Sequence, residues 1–118
     1  MQPRWPSMSN ETNKHLADIL DSIASIDVHL GGKKDFSFYC ANITVKRAVE
    51  RELEIIGEAV GRILKEDAGF PIAYGKIIVG MRNRIIHSYD AVDDNLVWKV
   101  ITKDIPILKT EVETLLKK

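Results

Sequence analysis

Cysteine is almost absent: Cys40 is the only one in the chain. A single thiol excludes a disulfide framework within the chain and argues against a cysteine-based metal site. Set among Phe36, Phe38 and Tyr39, it reads as a small buried apolar side chain, in keeping with a reducing cytoplasm. Long apolar runs are missing too, and none approaches the roughly 18 residues that cross a membrane. The opening stretch MQPRWPSMSN lacks the apolar centre of a signal peptide. Its prolines and want of periodicity read as a loose arm over residues 1–10. Net charge is also lacking, with 17 basic residues against 17 acidic ones. That removes any global drive toward nucleic acid but leaves a local basic patch open. There is no strand-like alternation, internal repeat or low-complexity tract.

What remains is a chain of 118 residues, 45% hydrophobic and 29% charged. Such a chain suits one soluble globular domain, here residues 11–118, which can bury a core without disulfides.

The apolar residues recur at helical spacing throughout. Leu16, Ile19, Leu20, Ile23, Ile26 and Leu30 form one stripe behind an N-cap at Ser9 or Asn10, and Gly31-Gly32 ends it. A second, central helix begins between Phe36 and Cys40 and runs to about Lys65. Its stripe of Val45, Val49, Leu53, Ile56, Val60, Ile63 and Leu64 is broadened by Ala48, Ile55 and Ala59. Gly57 and Gly61 each cost that helix about 1 kcal/mol relative to alanine, which points to close approach of a neighbouring backbone. A third helix begins at Pro71, turns Tyr74, Ile77, Ile78, Met81 and Ile85 inward and ends near Tyr89. Asp90 to Asp94 form a turn. Asp93 caps a last helix that carries Val97, Ile101, Leu108, Val112 and Leu115, and Pro106 should kink or split it. The expected architecture is an all-α antiparallel bundle of four helices, five if Pro106 breaks the last.

The end of the third helix carries the chemistry. Arg82, Asn83, Arg84, His87 and Tyr89 crowd into eight residues, far more hydrogen-bonding groups than a core helix requires. A guanidinium donates paired hydrogen bonds to phosphate oxygens and stays charged. Histidine exchanges protons near neutral pH. RNA supplies its own nucleophile, the 2′-hydroxyl, so an acid, a base and a cation would suffice without metal. At about 100° per residue Arg82 and Tyr89 share a face, while His87 lies roughly 140° from Arg82, so a second copy of the helix would help to complete such a site. The plainer reading stands beside it: cations favour helix C-termini on electrostatic grounds, and a tyrosine at a helix end commonly only packs. Spacing alone leaves both open. His15 and His29 read as surface residues without partners. Glu50, Glu52, Glu54 and Glu58 read as a solvated face, since no Glu-x-x-His accompanies them.

The stretch from Arg82 to Tyr89 resembles the Arg-x4-His-x-Tyr signature of HEPN domains, in the HepT-like branch. Leu53-Glu54-Ile55-Ile56-Gly57-Glu58-Ala59, Gly80-Met81-Arg82-Asn83, Asp93 followed by Val97-Trp98, and Asp104-Ile105-Pro106 resemble that branch in order and spacing. The resemblance covers Glu11 to Lys118. It implies a HEPN bundle acting as a homodimer, with the motif helices of two protomers lining a cleft. It further implies a metal-independent endoribonuclease without cofactor, the toxin of a type VII toxin–antitoxin pair in the cytoplasm. Arg82 and His87 would be catalytic, with Asn83 supporting the site. An MntA-type minimal nucleotidyltransferase antitoxin would transfer AMP from ATP to Tyr89. Some HEPN proteins are instead non-catalytic nucleotide- or substrate-binding partners of a nucleotidyltransferase. A purely structural helical dimerisation protein is the blandest alternative.

Overall fold

The computed structural model describes residues 10–87 and 93–117, and of Ile86 and His87 the backbone alone. The loose-arm assignment over residues 1–10 therefore lies outside the described residues except at Asn10, as do Tyr89 and most of the turn at 90–94.

Helix α1 spans Asn10–His29 and buries Leu16, Ile19, Ile23 and Ile26, with Leu30 just beyond its end. Its stop is the predicted glycine pair. Gly31 and Gly32 take φ of 70° and 75°, a region that a Cβ disfavours. Gly32 N–H donates to the Asp27 carbonyl (2.9 Å) and Gly31 N–H to that of Val28 (3.0 Å), which satisfies carbonyls the helix leaves open.

The predicted second helix is two helices. Helix α2, Phe36–Ala41, is short, and helix α3, Ile43–Glu66, carries the apolar stripe. Asn42 separates them in extended conformation (φ −120°, ψ 99°), and its Oδ1 accepts from Val45 N–H at 3.1 Å. The break turns α2 so that Phe36 and Tyr39 pack on Trp98, with ring centroids 5.6 and 5.5 Å apart. The same turn leaves Cys40 exposed rather than buried.

Pro71 does not open the third helix. It lies exposed in the α3–α4 connection between buried Phe70 and Ile72. Helix α4 is Gly75–His87. The Glu111 carboxylate accepts from Ala73 N–H (3.0 Å) and Tyr74 N–H (3.2 Å), anchoring the chain just ahead of α4. Ile78 and Met81 face inward as expected, whereas Ile77 is 42% exposed.

The C-terminal rod begins at helix α5, Asp94–Lys99, whose N-cap Asp93 accepts from Asn95 N–H. A π-helical segment, Val100–Asp104, follows and leads directly into helix α6, Ile105–Leu116. Pro106 thus sits in the first turn of α6, where its missing N–H costs least. Ile105 N–H reaches back five residues to the Val100 carbonyl, so the wider turn absorbs the proline without ending the rod.

The long elements run antiparallel in sequence. Near its C-terminus α1 places His29 on Glu52 of α3, while Glu11 at its start shares a hollow with Lys65 and Glu66 at the end of α3. Likewise Gly57 of α3 meets Ile78 and Arg82, and Val60, farther along α3, meets Gly75 at the start of α4. Three long helices, the C-terminal rod and short α2 thus make the all-α bundle, with one apolar core shared by α1, α3, α4 and the rod.

Candidate functional site

Arg82 is positioned by α3. The two helices meet so closely that a Cβ on Gly57 would lie 2.6 Å from Arg82 Cβ and 3.0 Å from its Cδ. The arginine stem therefore lies across the glycine, and the residue is only part-exposed. Its Nε is buried and has no acceptor among the described residues. Its Nη1 makes a long contact, 3.4 Å, to Asn83 Oδ1. A permanent cation is thus fixed by its stem while its donors stay largely unspent. The sequence flagged Gly57 and Gly61 alike, but a Cβ on Gly61 would meet nothing, so only Gly57 makes this seat.

The glutamates of α3 are not a bare solvated face. Glu50 is buried and accepts from Arg47 (3.2 Å). Glu52 meets His29 (3.1 Å), Glu54 meets Arg51 (3.8 Å) and Glu58 meets Arg62 (2.9 Å). His29 accordingly has a partner that the sequence did not reveal, and His15 is part-buried at a hollow of about 380 Å³ between α1 and α3. The Arg62 hydrogen bond holds the Glu58 carboxyl below its usual range, and Arg82 and Arg51 add smaller pulls in the same direction. The charge of Arg82 is therefore felt at the α3 surface.

One contrast follows from these pairs. Arg47, Arg51 and Arg62 of α3 each hold a carboxylate, whereas Arg82 and Arg84 of α4 hold none among the described residues. Helix α4 itself contains no acidic residue. In a chain of zero net charge, the uncommitted guanidinium groups among the described residues are gathered on the motif helix.

Asn83 is exposed beside Arg82. His87 is the last residue of α4, and its side chain lies outside the described residues, as does Tyr89 altogether. By backbone register Asn83 falls within the arc that separates Arg82 from His87, about 100° from one and 40° from the other. The structure brings Arg82 and Asn83 together. Tyr39 is fully buried. Burial, and then the charge of Glu50, push its phenol above the ordinary range.

Residues 19–115 match the family described as Ribonuclease HepT-like. The chain belongs to the HepT-like ribonuclease family. Among curated members of known sequence, a protein of Methanocaldococcus jannaschii named as a candidate RNase is 39% identical over 83% of this chain and 90% of its own length. Another so named, from Caldanaerobacter subterraneus, is 38% identical over 70% of this chain and 75% of its own. A protein of Thermococcus cleftensis with the name "Probable ribonuclease HepT" is 34% identical over 93% of this chain and 100% of its own. No solved structure gives a significant match. No helix among the described residues is long and apolar enough to cross a membrane.

Proposed function

We propose that the protein is a metal-independent endoribonuclease whose site is built on α4. The observation that carries the reading is Arg82: a guanidinium whose stem is seated on Gly57 and which holds no carboxylate among the described residues. Such a donor set suits a phosphodiester. Family membership and the names of the relatives support the same substrate class.

In this reading Arg82 binds the non-bridging oxygens of the scissile phosphate and offsets the charge that builds on them. A histidine takes the proton of the 2′-hydroxyl as its oxygen attacks phosphorus. The bond from phosphorus to the 5′-oxygen breaks, and a second, protonated histidine gives that oxygen its proton. The products are a 2′,3′-cyclic phosphate and a 5′-hydroxyl. One chain offers His87 once. Two protomers with their α4 helices lining a common cleft supply both histidines, so the active form is a homodimer. Asn83, in contact with Arg82, keeps the guanidinium aimed.

The enzyme acts as the toxin of a toxin–antitoxin pair. Its antitoxin is an MntA-type minimal nucleotidyltransferase that adds AMP to Tyr89. Full burial closes Tyr39 to that modification. An AMP phosphate on Tyr89 would compete for Arg82 and repel the RNA backbone.

The test is cleavage of a labelled RNA in chelator by unmodified protein and by His87→Ala purified identically. Cleavage by the first alone is expected. Cleavage by both would remove His87 from the mechanism. Silence from both, with folded protein free of AMP, would favour a binding partner of a nucleotidyltransferase over an enzyme.

A further inference from the structure

The second uncommitted arginine of α4 has no part in the chemistry just described. Arg84 follows Arg82 by two residues, roughly 200° around the helix, so it cannot serve the same phosphate. It is exposed and lines a separate hollow of about 220 Å³ between α4 and the C-terminal rod, with Ile77, Gly80, Leu96, Lys99 and Asp104. Lys99 is exposed there, 3.9 Å from the carboxylate of nearly buried Asp104. That carboxylate offsets one of the two cations, which leaves Arg84 as the net charge of the hollow. Gly80 is exposed at mid-helix, and a Cβ there would meet nothing within 4 Å among the described residues. The helix backbone is thus open beside the arginine, where a ligand can approach closely. The exposed side of Ile77 gives an apolar wall.

We propose that this hollow is a second phosphate subsite, in which Arg84 binds the backbone of the same RNA strand at a nucleotide flanking the cleavage point. The inference rests on the ribonuclease reading and deepens it. Charge decides the occupant. The 380 Å³ hollow between α1 and α3 holds more space, but Lys14, Arg51 and Arg62 there are each spent on carboxylates. In the proposed dimer the second copy takes the Arg82 side of α4, and Arg84 lies roughly 200° around the helix from that side, so the second copy does not fill this hollow. An RNA backbone meets Arg84 with opposite charge.

Binding is measured with a labelled single-stranded 2′-O-methyl oligoribonucleotide, which lacks the attacking hydroxyl and is not cut. The unaltered protein, Arg84→Gln and Lys109→Gln are compared across a salt series, with the oligomeric state of each followed by light scattering. Lys109→Gln removes one charge from the exposed side of α6. Arg84→Gln is expected to weaken binding about threefold to tenfold and to lower the slope of log affinity against log salt by about 0.7, the value for one lost contact on a single strand. Lys109→Gln should do neither. An unchanged slope in Arg84→Gln, or an equal loss in both variants, would overturn the subsite. So would an affinity loss that only tracks dissociation of the oligomer, which would assign the hollow to a protein contact. If the unaltered protein cuts natural RNA and Arg84→Gln binds like it, the subsite fails while the ribonuclease reading stands. If the unaltered protein neither cuts nor binds RNA, both fail.

Discussion

Gly57 and Arg82 share one space: the α3 glycine has no side chain, and the α4 arginine stem fills the volume it leaves. Besides meeting Arg82, a Cβ on Gly57 would lie 3.2 Å from the Ile78 carbonyl oxygen. The outer part of the stem could bend away, but Arg82 Cβ and the carbonyl are both fixed by the α4 backbone, so the helices themselves would have to part. Gly57→Ala is therefore expected to lose about 1–2 kcal/mol of stability, since overpacking outweighs the better helix propensity of alanine. It should also lower RNA cleavage by displacing Arg82. Gly61→Ala, with open space around it, should gain up to about 1 kcal/mol. Urea unfolding of the two variants checks the contrast. Equal effects would mean that the contact at Gly57 is not tight in solution.

Lys46 and Asp94 test a different joint. Their 3.0 Å ion pair ties the start of α3 to the start of α5, with side chains 18% and 25% exposed. Lys46 is the cation that compensates this part-buried carboxylate. Lys46→Ala is expected to cost about 2 kcal/mol, mostly from leaving the charge uncompensated. Adding Asp94→Asn should recover part of the loss. Lys14→Ala, which breaks a pair at 71% and 39% exposure, should change stability by less than about 0.5 kcal/mol. Denaturation midpoints of the four proteins decide it.

These joints show which parts of the fold the sequence could carry. The stripe from Leu16 to Leu30 and the stop at Gly31-Gly32 were legible because periodicity and glycine chemistry are local. The break at Asn42 was not, because apolar residues continue on both sides of it and an N-cap asparagine inside such a run is easily taken for a helix residue. Ile77 fits the inward spacing of α4 but falls where α4 and the rod leave a hollow, which no single-helix pattern can report. Pro106 announced a disturbance, while the π-helical turn that absorbs it depends on backbone hydrogen bonds alone. At the site, Arg82 stood out by its motif. Its seat on Gly57 is a tertiary fact, whereas each α3 arginine pairs with a carboxylate three or four residues away on its own helix.

Glu111 gives a pH dependence with a definite sign. Burial raises its carboxyl above the ordinary value of 4.5, against smaller opposite effects from the Tyr74 and Ala73 N–H groups it accepts from. In the window between 4.5 and the raised folded value, the folded chain binds more protons than the unfolded one. The contribution of Glu111 to stability therefore grows as pH falls through that window and shrinks as pH rises through it. Glu111→Gln lacks this titration. The stability of the unaltered protein minus that of Glu111→Gln is expected to rise on going from pH 7 toward about pH 4. A difference that falls over the same range would show that the hydrogen bonds outweigh burial at this carboxylate.

Tyr89 is the proposed point of control. Co-expression with the cognate nucleotidyltransferase is expected to raise the intact mass by one or more AMP units, and Tyr89→Phe should abolish the gain. The same variant should still cut RNA and escape neutralisation if the phenol serves only as acceptor. Loss of cleavage in Tyr89→Phe would give the hydroxyl a part in catalysis instead.

Asn83 offers the sharpest probe of the free guanidinium. Its Oδ1 stands 3.4 Å from Arg82 Nη1, close enough to steer the arginine but too long to hold it firmly. Asn83→Asp keeps the shape and replaces a dipole with a charge. The new carboxylate would draw in Nη1 and commit Arg82 as Glu50, Glu54 and Glu58 commit the arginines of α3. Cleavage should fall on the order of tenfold to a hundredfold, because the cation would no longer be free to meet charge developing on the phosphate. Stability should move by less than about 0.5 kcal/mol, since the position is exposed. Asn83→Ser removes the acceptor arm without adding charge and should cost less activity than Asn83→Asp. Single-turnover cleavage beside thermal melts separates the cases. If Asn83→Asp cuts RNA at the unaltered rate with its melting point unchanged, Arg82 does not work as a free cation and the proposed role of the Gly57 seat falls with it.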